Sequence, residues 1–376
     1  MEQVSLLKND NKKIYFEVMR IFAIFFVLFN HTGTNGFFLF SICPKGSPQF
    51  WVYLFISIFC KFAVPLFFAI SGALLLHREN ESLKKLWKDK VFKFAVILFI
   101  ISLLTAVSFM TFAGRDYSLK SWIKQCYSSN ISAQLWYLYA YLAFLISLPF
   151  LRALVKNLKD KYFYYLIAIV LLFQTIPILE YLLWQQKFTI NGNLRPYWLM
   201  SNIVIYPCIG YFLEHRLPIQ KAKKWLVVIW IFLVVIWIFN VLCIIFSACV
   251  TNYRCTLQNN FSEGKSQTFY NNFALVNCIA VYITIKYFVN EFKMSDRVNE
   301  VILWLGKGTF GVYLFHLIFQ NTPLFQKLIA MLKKTVGVHI NFMLANWIYV
   351  LCLMGFCFIF TAILKKIPVV KKLVGY

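Results

Sequence analysis

Long apolar runs alternate with short polar segments along the whole chain. A helix needs about 20 apolar residues to cross the hydrocarbon core of a bilayer. Runs close to that length lie at residues 14–31, 50–76, 91–113, 133–155, 162–183, 197–213, 225–250, 269–290, 301–320 and 341–364. This pattern predicts an all-α fold, a polytopic transmembrane helical bundle of about ten spans. No linker or low-complexity run interrupts it, so we expect residues 1–376 to form a single domain.

Two of the predicted spans are irregular. The second, residues 50–76, is long and contains Pro65, and a proline inside a helix removes a hydrogen bond and bends the helix. The sixth, residues 197–213, is short and contains Asn202 and Pro207. We therefore expect a kink or a tilt in the second span and the least typical span at the sixth position.

The composition fits a lipid environment. Hydrophobic residues make up 61% of the chain and charged residues 14%, whereas a soluble domain carries about 25% charged residues. The net charge of +24 would by itself suit a nucleic-acid-binding protein. The Lys and Arg residues lie in short clusters beside the apolar runs, however, so we expect the lipid bilayer as a partner and no nucleic acid. The ten cysteines include no CxxC or other metal-ligand spacing, which predicts no metal site.

The distribution of Lys and Arg predicts the orientation in the membrane. With the N-terminus inside, the inner loops and tails carry 24 of the 38 Lys and Arg residues and the outer loops carry 11. Cytoplasmic loops are the ones enriched in these residues. We therefore expect an inner-membrane protein with its N-terminus and C-terminus in the cytoplasm. Glu180 and the segment Glu214-His215-Arg216 lie near span ends, where we expect them at the membrane interface.

Three ionisable residues, Glu17, Arg20 and His31, lie in the first apolar run. Ionisable side chains inside a span are costly and suggest a functional site. Glu17 and Arg20 are three residues apart and can pair on one helix face, and Arg20 and His31, eleven residues apart, lie on nearly the same face. This stripe predicts a polar cavity. The alternative is that Arg20, paired with Glu17, reaches the inner interface and that His31 is an interfacial residue at a helix end.

Four segments along the chain carry a resemblance to a known family. In order they are Phe16–Arg20 followed by His31, then Lys61–Gly72, Leu135–Tyr139 and Gly311–His316. They resemble the Arg-x10-His signature, the AVPLFF…SG segment, a fourth-span segment and a late YL-x-H segment of the acyltransferase-3 family of integral membrane acyltransferases. The resemblance extends over the whole chain in order, and ten spans is the family's number.

The resemblance implies an activity. Members of this family move an acyl group, most often acetyl, from acyl-CoA to a hydroxyl or amine, typically on a cell-envelope glycan. We therefore expect a membrane O-acyltransferase with acyl-CoA as donor, a cell-envelope glycan or lipid-linked sugar as acceptor, and no bound cofactor. The alternative is an exporter or flippase of a polysaccharide or lipid-linked sugar, which also needs a polar cavity. The sequence leaves open the acceptor, the acyl group, the leaflet and the oligomeric state.

Acyl transfer to a hydroxyl needs a base that takes the hydroxyl proton and a donor that stabilises the developing oxyanion. His31 is the candidate base, because an imidazole titrates at about pH 6.5 and can be neutral in the cell. Arg20 is the candidate for holding a phosphate or the thioester region of the donor. Glu17 would then orient the Arg20 guanidinium.

Five further residues are candidate substrate-binding residues. Lys61 lies in mid-span, where it contacts donor or acceptor or forms a structural pair. Ser71 belongs to the matched segment of the second span. Trp136 and Tyr137 can stack on a sugar or belong to the aromatic belt at the membrane interface. His316 can assist proton transfer or be a buried histidine with satisfied hydrogen bonds.

Overall fold

The computed structural model describes residues 2–78, 81–217, 226–258, 271–292 and 294–368, without the side chains of residues 2–13 and 226–229. Its described residues are largely helical and contain no strand, which confirms the all-α prediction. The helices are α1 (Glu2–Asn30), α2 (Pro48–Phe59), α3 (Ala63–Leu75), α4 (Leu83–Leu86), α5 (Phe92–Phe112), α6 (Leu119–Ser128), α7 (Trp136–Asn157), α8 (Asp160–Trp184), α9 (Tyr197–Met200), α10 (Ile205–His215), α11 (Leu226–Leu257), α12 (Ala274–Glu291), α13 (Asp296–Gln320), α14 (Pro323–Leu332) and α15 (Phe342–Leu364).

Each of the ten predicted spans coincides with a helix or a pair of helices, apart from residues 225, 269 and 270, which lie outside the described residues. Within the described part of the chain, seven helical stretches are long and apolar enough to cross a membrane. The other three predicted spans fall on α1, which carries Glu17 and Arg20, on the short α10, and on α12 with its 18 residues. The chain is therefore a multi-pass membrane protein.

The α-helix of the second predicted span is interrupted close to Pro65. A short 3-10 segment, Cys60–Phe62, separates α2 from α3. Pro65 lies in the first turn of α3. Backbone N–H groups in the first turn have no helical acceptor, so the missing N–H of proline costs no hydrogen bond there. The proline ring conflicts with the carbonyl four residues earlier, at Lys61, in a continuous α-helix. The break therefore occurs directly before the proline.

The sixth predicted span is divided between two short helices, α9 and α10. A turn at residues 201–204 separates them. With 11 residues, α10 is about 16 Å long at 1.5 Å per residue, against about 30 Å for the hydrocarbon core. The sequence correctly marked this span as atypical.

The described residues form two compact units, each assembled from separate segments of the chain. The first unit comprises Met1–Met19, Phe37–Arg78 and Leu148–Lys293. The second unit comprises Arg20–Gly36, Glu79–Ser147 and Met294–Tyr376.

In the first unit, α3 and α10 approach each other at backbone distance. A Cβ at Gly72 would lie 2.0 Å from the Pro207 carbonyl oxygen, and a Cβ at Gly210 would lie 1.9 Å from the Ala69 carbonyl oxygen. Side chains at these two positions are therefore excluded, and small residues permit the close contact that stabilises helix pairs in membranes.

A buried polar network joins three helices of the first unit. Glu214, at the end of α10, accepts hydrogen bonds from the Tyr15 hydroxyl at 2.6 Å and the Tyr282 hydroxyl at 3.1 Å. Lys286 of α12 pairs with the same carboxylate at 3.0 Å and donates to the Leu213 carbonyl at 2.9 Å. The side chains of Glu214 and Lys286 are only 9% and 6% exposed. The sequence predicted Glu214 at the membrane interface, whereas in the structure Glu214 forms a buried ion pair with Lys286.

Glu180 also has a specific partner in the first unit. Its carboxylate lies 3.0 Å from Arg195 and accepts a hydrogen bond from the Ile190 amide at 2.6 Å. Glu180 is 4% exposed. It stabilises the loop after α8, because the carboxylate satisfies both a main-chain donor and a cation of that loop.

In the second unit, α13 and α15 pack through glycines of α13. A Cβ at Gly308 would lie 2.7 Å from the Phe358 ring, and a Cβ at Gly311 would lie 2.2 Å from the Thr361 methyl carbon. This close contact fixes α13 against α15. It determines the position of His316, which lies farther along α13.

Candidate functional site

Two of the predicted site residues, His31 and His316, face each other in the second unit. His31 follows the last residue of α1, and its amide donates to the Leu28 carbonyl at 3.0 Å. His316 lies on α13 and is fully buried. The centroids of the two imidazole rings are 5.3 Å apart. The fold thus brings together two histidines from opposite ends of the chain.

The hydrogen bonds of His316 determine its tautomer. Its Nδ1 lies 2.7 Å from the Tyr313 carbonyl oxygen. A carbonyl oxygen can only accept, so Nδ1 carries the hydrogen and, in the neutral ring, Nε2 carries the lone pair. Nε2 is buried and has no hydrogen-bond partner within the described part of the chain. His316 is therefore arranged as a proton acceptor at Nε2.

Gln320 holds the turn that carries His31. It lies one helical turn after His316 on α13, and its side-chain amide donates to the His31 carbonyl at 2.8 Å. Two contacts thus connect the end of α1 to one face of α13: the ring contact with His316 and this hydrogen bond. The position of His31 is fixed by α13 as well as by its own helix.

The residues that follow His31 are held by α15. The Thr32 hydroxyl donates to the Phe29 carbonyl at 2.7 Å and accepts a hydrogen bond from the Asn346 amide at 3.3 Å. Thr32 and Asn346 are both buried. A Cβ at Gly36 would lie 1.9 Å from the Asn346 amide nitrogen, so a larger residue there would displace the Asn346 side chain. Polar side chains in an apolar span are costly unless they are paired, and this pairing anchors the turn.

Tyr137 reaches the same helix through Tyr313. The rings of Tyr137 and Tyr313 are 5.3 Å apart, and the Tyr313 hydroxyl donates to the Gln134 carbonyl at 2.5 Å. Trp136 contacts Tyr137 with ring centroids 6.4 Å apart. The main-chain carbonyl of Tyr313 also accepts the Nδ1 hydrogen of His316. The start of α7 is therefore connected to the histidine pair by a chain of direct contacts.

A family model for an acyltransferase domain matches residues 13–366. The chain belongs to the acyltransferase-3 family. No curated protein and no solved structure matches the chain. The protein is therefore a membrane acyltransferase that transfers groups other than amino-acyl groups, and the resemblance seen in the sequence is confirmed.

Glu17 and Arg20 lie one turn apart on α1 of this acyltransferase, and both are half-buried. Their pairing and their role stay predictions. His31 lies one residue beyond the end of α1, and its amide makes an i−3 hydrogen bond. The α-helical spacing that would place Glu17, Arg20 and His31 on one stripe therefore ends at Asn30. The turn after Asn30 determines the direction of the His31 imidazole.

Lys61 and Ser71 of the acyltransferase make local contacts within the first unit. The Lys61 ammonium lies 4.2 Å from the centroid of the Phe37 ring, a cation–π contact that the sequence did not predict. The Ser71 hydroxyl donates to the Phe67 carbonyl of its own helix at 2.8 Å. Their assignment to substrate binding stays a prediction.

Sequence reasoning missed several residues of the histidine site, namely Thr32, Gln134, Tyr313, Gln320 and Asn346. A usable signal existed for two of them. Gln320 follows His316 at helical i+4 spacing, and Asn346 is an amide within an apolar run. The Tyr313 hydroxyl and His316 Nδ1 donate to main-chain carbonyls. These partners could not be predicted from the sequence, because every residue has a main-chain carbonyl.

Proposed function

We propose that this acyltransferase moves an acyl group, in the first place acetyl, from acyl-CoA to a hydroxyl of a cell-envelope glycan or lipid-linked sugar. The observation that carries the proposal is the pair of His31 and His316, whose rings lie 5.3 Å apart. One member of the pair is buried and offers an unpartnered Nε2 within the described residues. Acylation of a hydroxyl needs a base; His31 is that base in this proposal, and the lone pair on His316 Nε2 lies beside it.

The proposed reaction is a single acyl transfer. The acceptor hydroxyl loses its proton to an imidazole while its oxygen attacks the thioester carbonyl carbon. The C–S bond then breaks, and the imidazole returns the proton to the sulfur, so the products are the ester and free CoA. His31 is the proposed base. His316 supports it with a second imidazole, whose Nδ1 hydrogen is fixed by the Tyr313 carbonyl.

The other predicted residues have roles in substrate binding in this proposal. Arg20, oriented by Glu17, would hold the donor, because a guanidinium binds phosphate or a polarised carbonyl through two parallel hydrogen bonds. Trp136 and Tyr137 offer aromatic faces to a sugar, and Tyr137 is already in contact with α13 through Tyr313. Lys61 and Ser71 would contact polar groups of the substrates.

The test is transfer of labelled acetyl from acetyl-CoA to envelope glycan by the reconstituted protein. We expect His31→Ala and His316→Ala to lose about 10²–10⁴-fold in rate, the usual contribution of a general base. His339→Ala is the matched control, because His339 is exposed. Wild-type rates in both histidine variants would remove the pair from the mechanism. Glycan movement across vesicles without any acetyl transfer would instead support the exporter alternative.

We also propose an inner-membrane location with the N-terminus and C-terminus in the cytoplasm, on the basis of the Lys and Arg distribution. A reporter fused after Tyr376 should be cytoplasmic, and one inserted near Gln258 should be extracytoplasmic. Both reporters on one side would contradict ten crossings. Reporters on exchanged sides would instead show that a span before Gln258 does not cross, and the short α10 is then the first helix to examine.

A further inference from the structure

Three helices of the first unit, α8, α11 and α12, enclose one apolar cluster. All three belong to the continuous segment Leu148–Lys293 of that unit. The cluster consists of Ile178 and Tyr181 of α8, Cys243 and Val250 of α11, and Phe273 and Val276 at the start of α12, with Leu171 of α8 packed against it. These contacts identify the face that each helix turns toward the space between the three helices.

Each of these faces also carries a polar side chain. Gln174 on α8, Ser247 on α11 and Asn277 on α12 lie three or four residues from cluster residues of their own helix. Residues at that spacing share a helix face. The Gln174 Oε1, Ser247 Oγ and Asn277 Oδ1 atoms are buried and have no hydrogen-bond partner within the described residues. Unpartnered oxygens from three helices thus point into one apolar space.

The polar face of α11 extends beyond the cluster in both directions. Asn240 lies seven residues before Ser247, and Thr251 lies four residues after it. At about 100° per residue, Ser247 and Thr251 lie within about 20° of the direction of Asn240. Asn240 is 0% exposed and the other two are 1% exposed. In the part of the chain that the structure describes, both amide atoms of Asn240 and the Thr251 hydroxyl also have no partner.

The two hydroxyls on this face are not satisfied by their own helix. Ser and Thr inside a helix commonly donate to the carbonyl four residues earlier. The hydroxyls of Thr105, Thr175 and Thr361 do so, at 2.7, 2.8 and 2.7 Å. Ser247 and Thr251 make no such bond. Their hydroxyls are therefore available to a group that lies between the helices.

The chemistry of these atoms defines that group. The amide oxygens of Gln174 and Asn277 only accept hydrogen bonds, the Asn240 nitrogen only donates, and the hydroxyls do both. A single cation would need its oxygen ligands within about 2.5 Å of one point, whereas the eleven residues from Asn240 to Thr251 extend over about 16 Å. Water fits this row, because buried water molecules bind otherwise unsatisfied polar groups through about two to four hydrogen bonds each.

We propose that a row of water molecules lies between α8, α11 and α12, bound by five polar side chains, those of Gln174, Asn240, Ser247, Thr251 and Asn277. The row begins near the middle of α11 and ends toward its C-terminus, which the Lys and Arg distribution assigns to the extracytoplasmic side. One face of α11 then contacts lipid and the opposite face contacts internal water. The water row does not depend on the proposed acyl transfer.

The test measures the reactivity of single cysteines in the full-length protein in lipid vesicles. The ten native cysteines are replaced by alanine, and Ser247→Cys or Thr251→Cys is introduced. The probe is 2-aminoethyl methanethiosulfonate, and mass spectrometry follows the unmodified protein. The reagent attacks the thiolate, and a thiol ionises readily beside water but poorly in apolar surroundings. We expect both cysteines to react at least about tenfold faster than a cysteine that faces lipid.

Two controls define slow reaction. Ile245→Cys is the lipid-facing control, because Ile245 is 47% exposed and lies between Asn240 and Thr251 on α11. The native Cys208, kept as the single cysteine, is the buried control, because it is fully buried on α10. Reaction at residues 247 and 251 as slow as at both controls would show a dry interior and overturn the proposal. Equally fast reaction of Cys208 would show general entry of water and overturn a specific row.

Thermal unfolding of Asn240→Leu, in the protein with its native cysteines, is an independent test. If Asn240 binds water, leucine removes these hydrogen bonds and leaves the water molecules with fewer partners, so the melting temperature falls. If the space is dry, leucine replaces an unpaired buried amide by an apolar side chain of similar size, so the melting temperature rises. We expect a lower melting temperature, and an unchanged or higher one would overturn the water row.

Discussion

The side-chain amide of Gln320 donates a 2.8 Å hydrogen bond to the main-chain oxygen of His31. Gln320 lies four residues after His316 and therefore on the same face of α13. A single helix face thus provides both the second imidazole and the bond that positions the first one. The geometry of the pair depends on this main-chain contact as much as on the two histidines.

We expect Gln320→Leu to reduce turnover while leaving KM nearly unchanged. The substitution removes the donor to His31, and a misplacement of about 1 Å at a reacting group can cost on the order of 100-fold in rate. The loss in stability should be only about 1 kcal/mol, the net value of one hydrogen bond. Steady-state kinetics of acetyl transfer and thermal unfolding measure the two effects.

Gln125→Leu, on α6, is the control for that experiment, because within the described residues the Gln125 side-chain amide makes one long contact, 3.5 Å to the Asn130 carbonyl. It should have wild-type kcat. If Gln320→Leu also keeps the wild-type kcat, Gln320 does not position His31 for catalysis.

We expect Arg20→Lys to be severely impaired in acyl transfer and in donor binding. Lysine is a point charge and cannot reproduce the planar, two-pronged contact of a guanidinium. Glu17→Gln should be milder, because it loosens the arginine without removing it. The positive-inside rule counts Lys and Arg equally, so wild-type behaviour of Arg20→Lys in both assays would show that Arg20 only sets the topology.

We expect Gly72→Ala to destabilise the protein strongly, by at least about 1–3 kcal/mol, the usual cost of overpacking. The new methyl group would lie 2.0 Å from the Pro207 carbonyl oxygen, which belongs to the backbone and cannot rotate away. Gly355→Ala, on α15, is the matched control, because nothing lies within 4 Å of its Cβ position. It should stabilise the helix by up to about 1 kcal/mol. Thermal unfolding in detergent compares the two, and equal melting temperatures would contradict the packing of α3 on α10.

We expect Glu214→Gln to cost about 3–5 kcal/mol, because it removes the carboxylate that pairs with the buried Lys286 ammonium. The double variant Glu214→Gln with Lys286→Met should recover part of this loss, since the buried ammonium is then removed together with its carboxylate partner. Asp160→Asn, which breaks the exposed pair with Arg216, should change stability by no more than about 1 kcal/mol. Chemical denaturation of the wild type, these three variants and the single variant Lys286→Met gives the differences, and additive losses in the double variant would refute the coupling.

The sequence by itself determined the helices, the membrane class and the family. Apolar runs of span length can only be helices in lipid, where every main-chain donor and acceptor must be paired within its own segment. The interruption of the helix before Pro65 and the atypical span at residues 197–213 were predictable, because proline and short apolar length act locally. The segment pattern from Arg20 to His316 sufficed for the family.

Only the tertiary structure decided which side chains meet. His31 and His316 are brought together by contacts between α1, α13 and α15, and the tautomer of His316 depends on a Tyr313 carbonyl that no residue pattern reveals. Lys286 counts as one more inner cation in the sequence but is a buried partner of Glu214 in the fold. Hydrophobic periodicity specifies which face of a helix is buried, whereas the partner on the opposing helix depends on packing between segments distant in the chain.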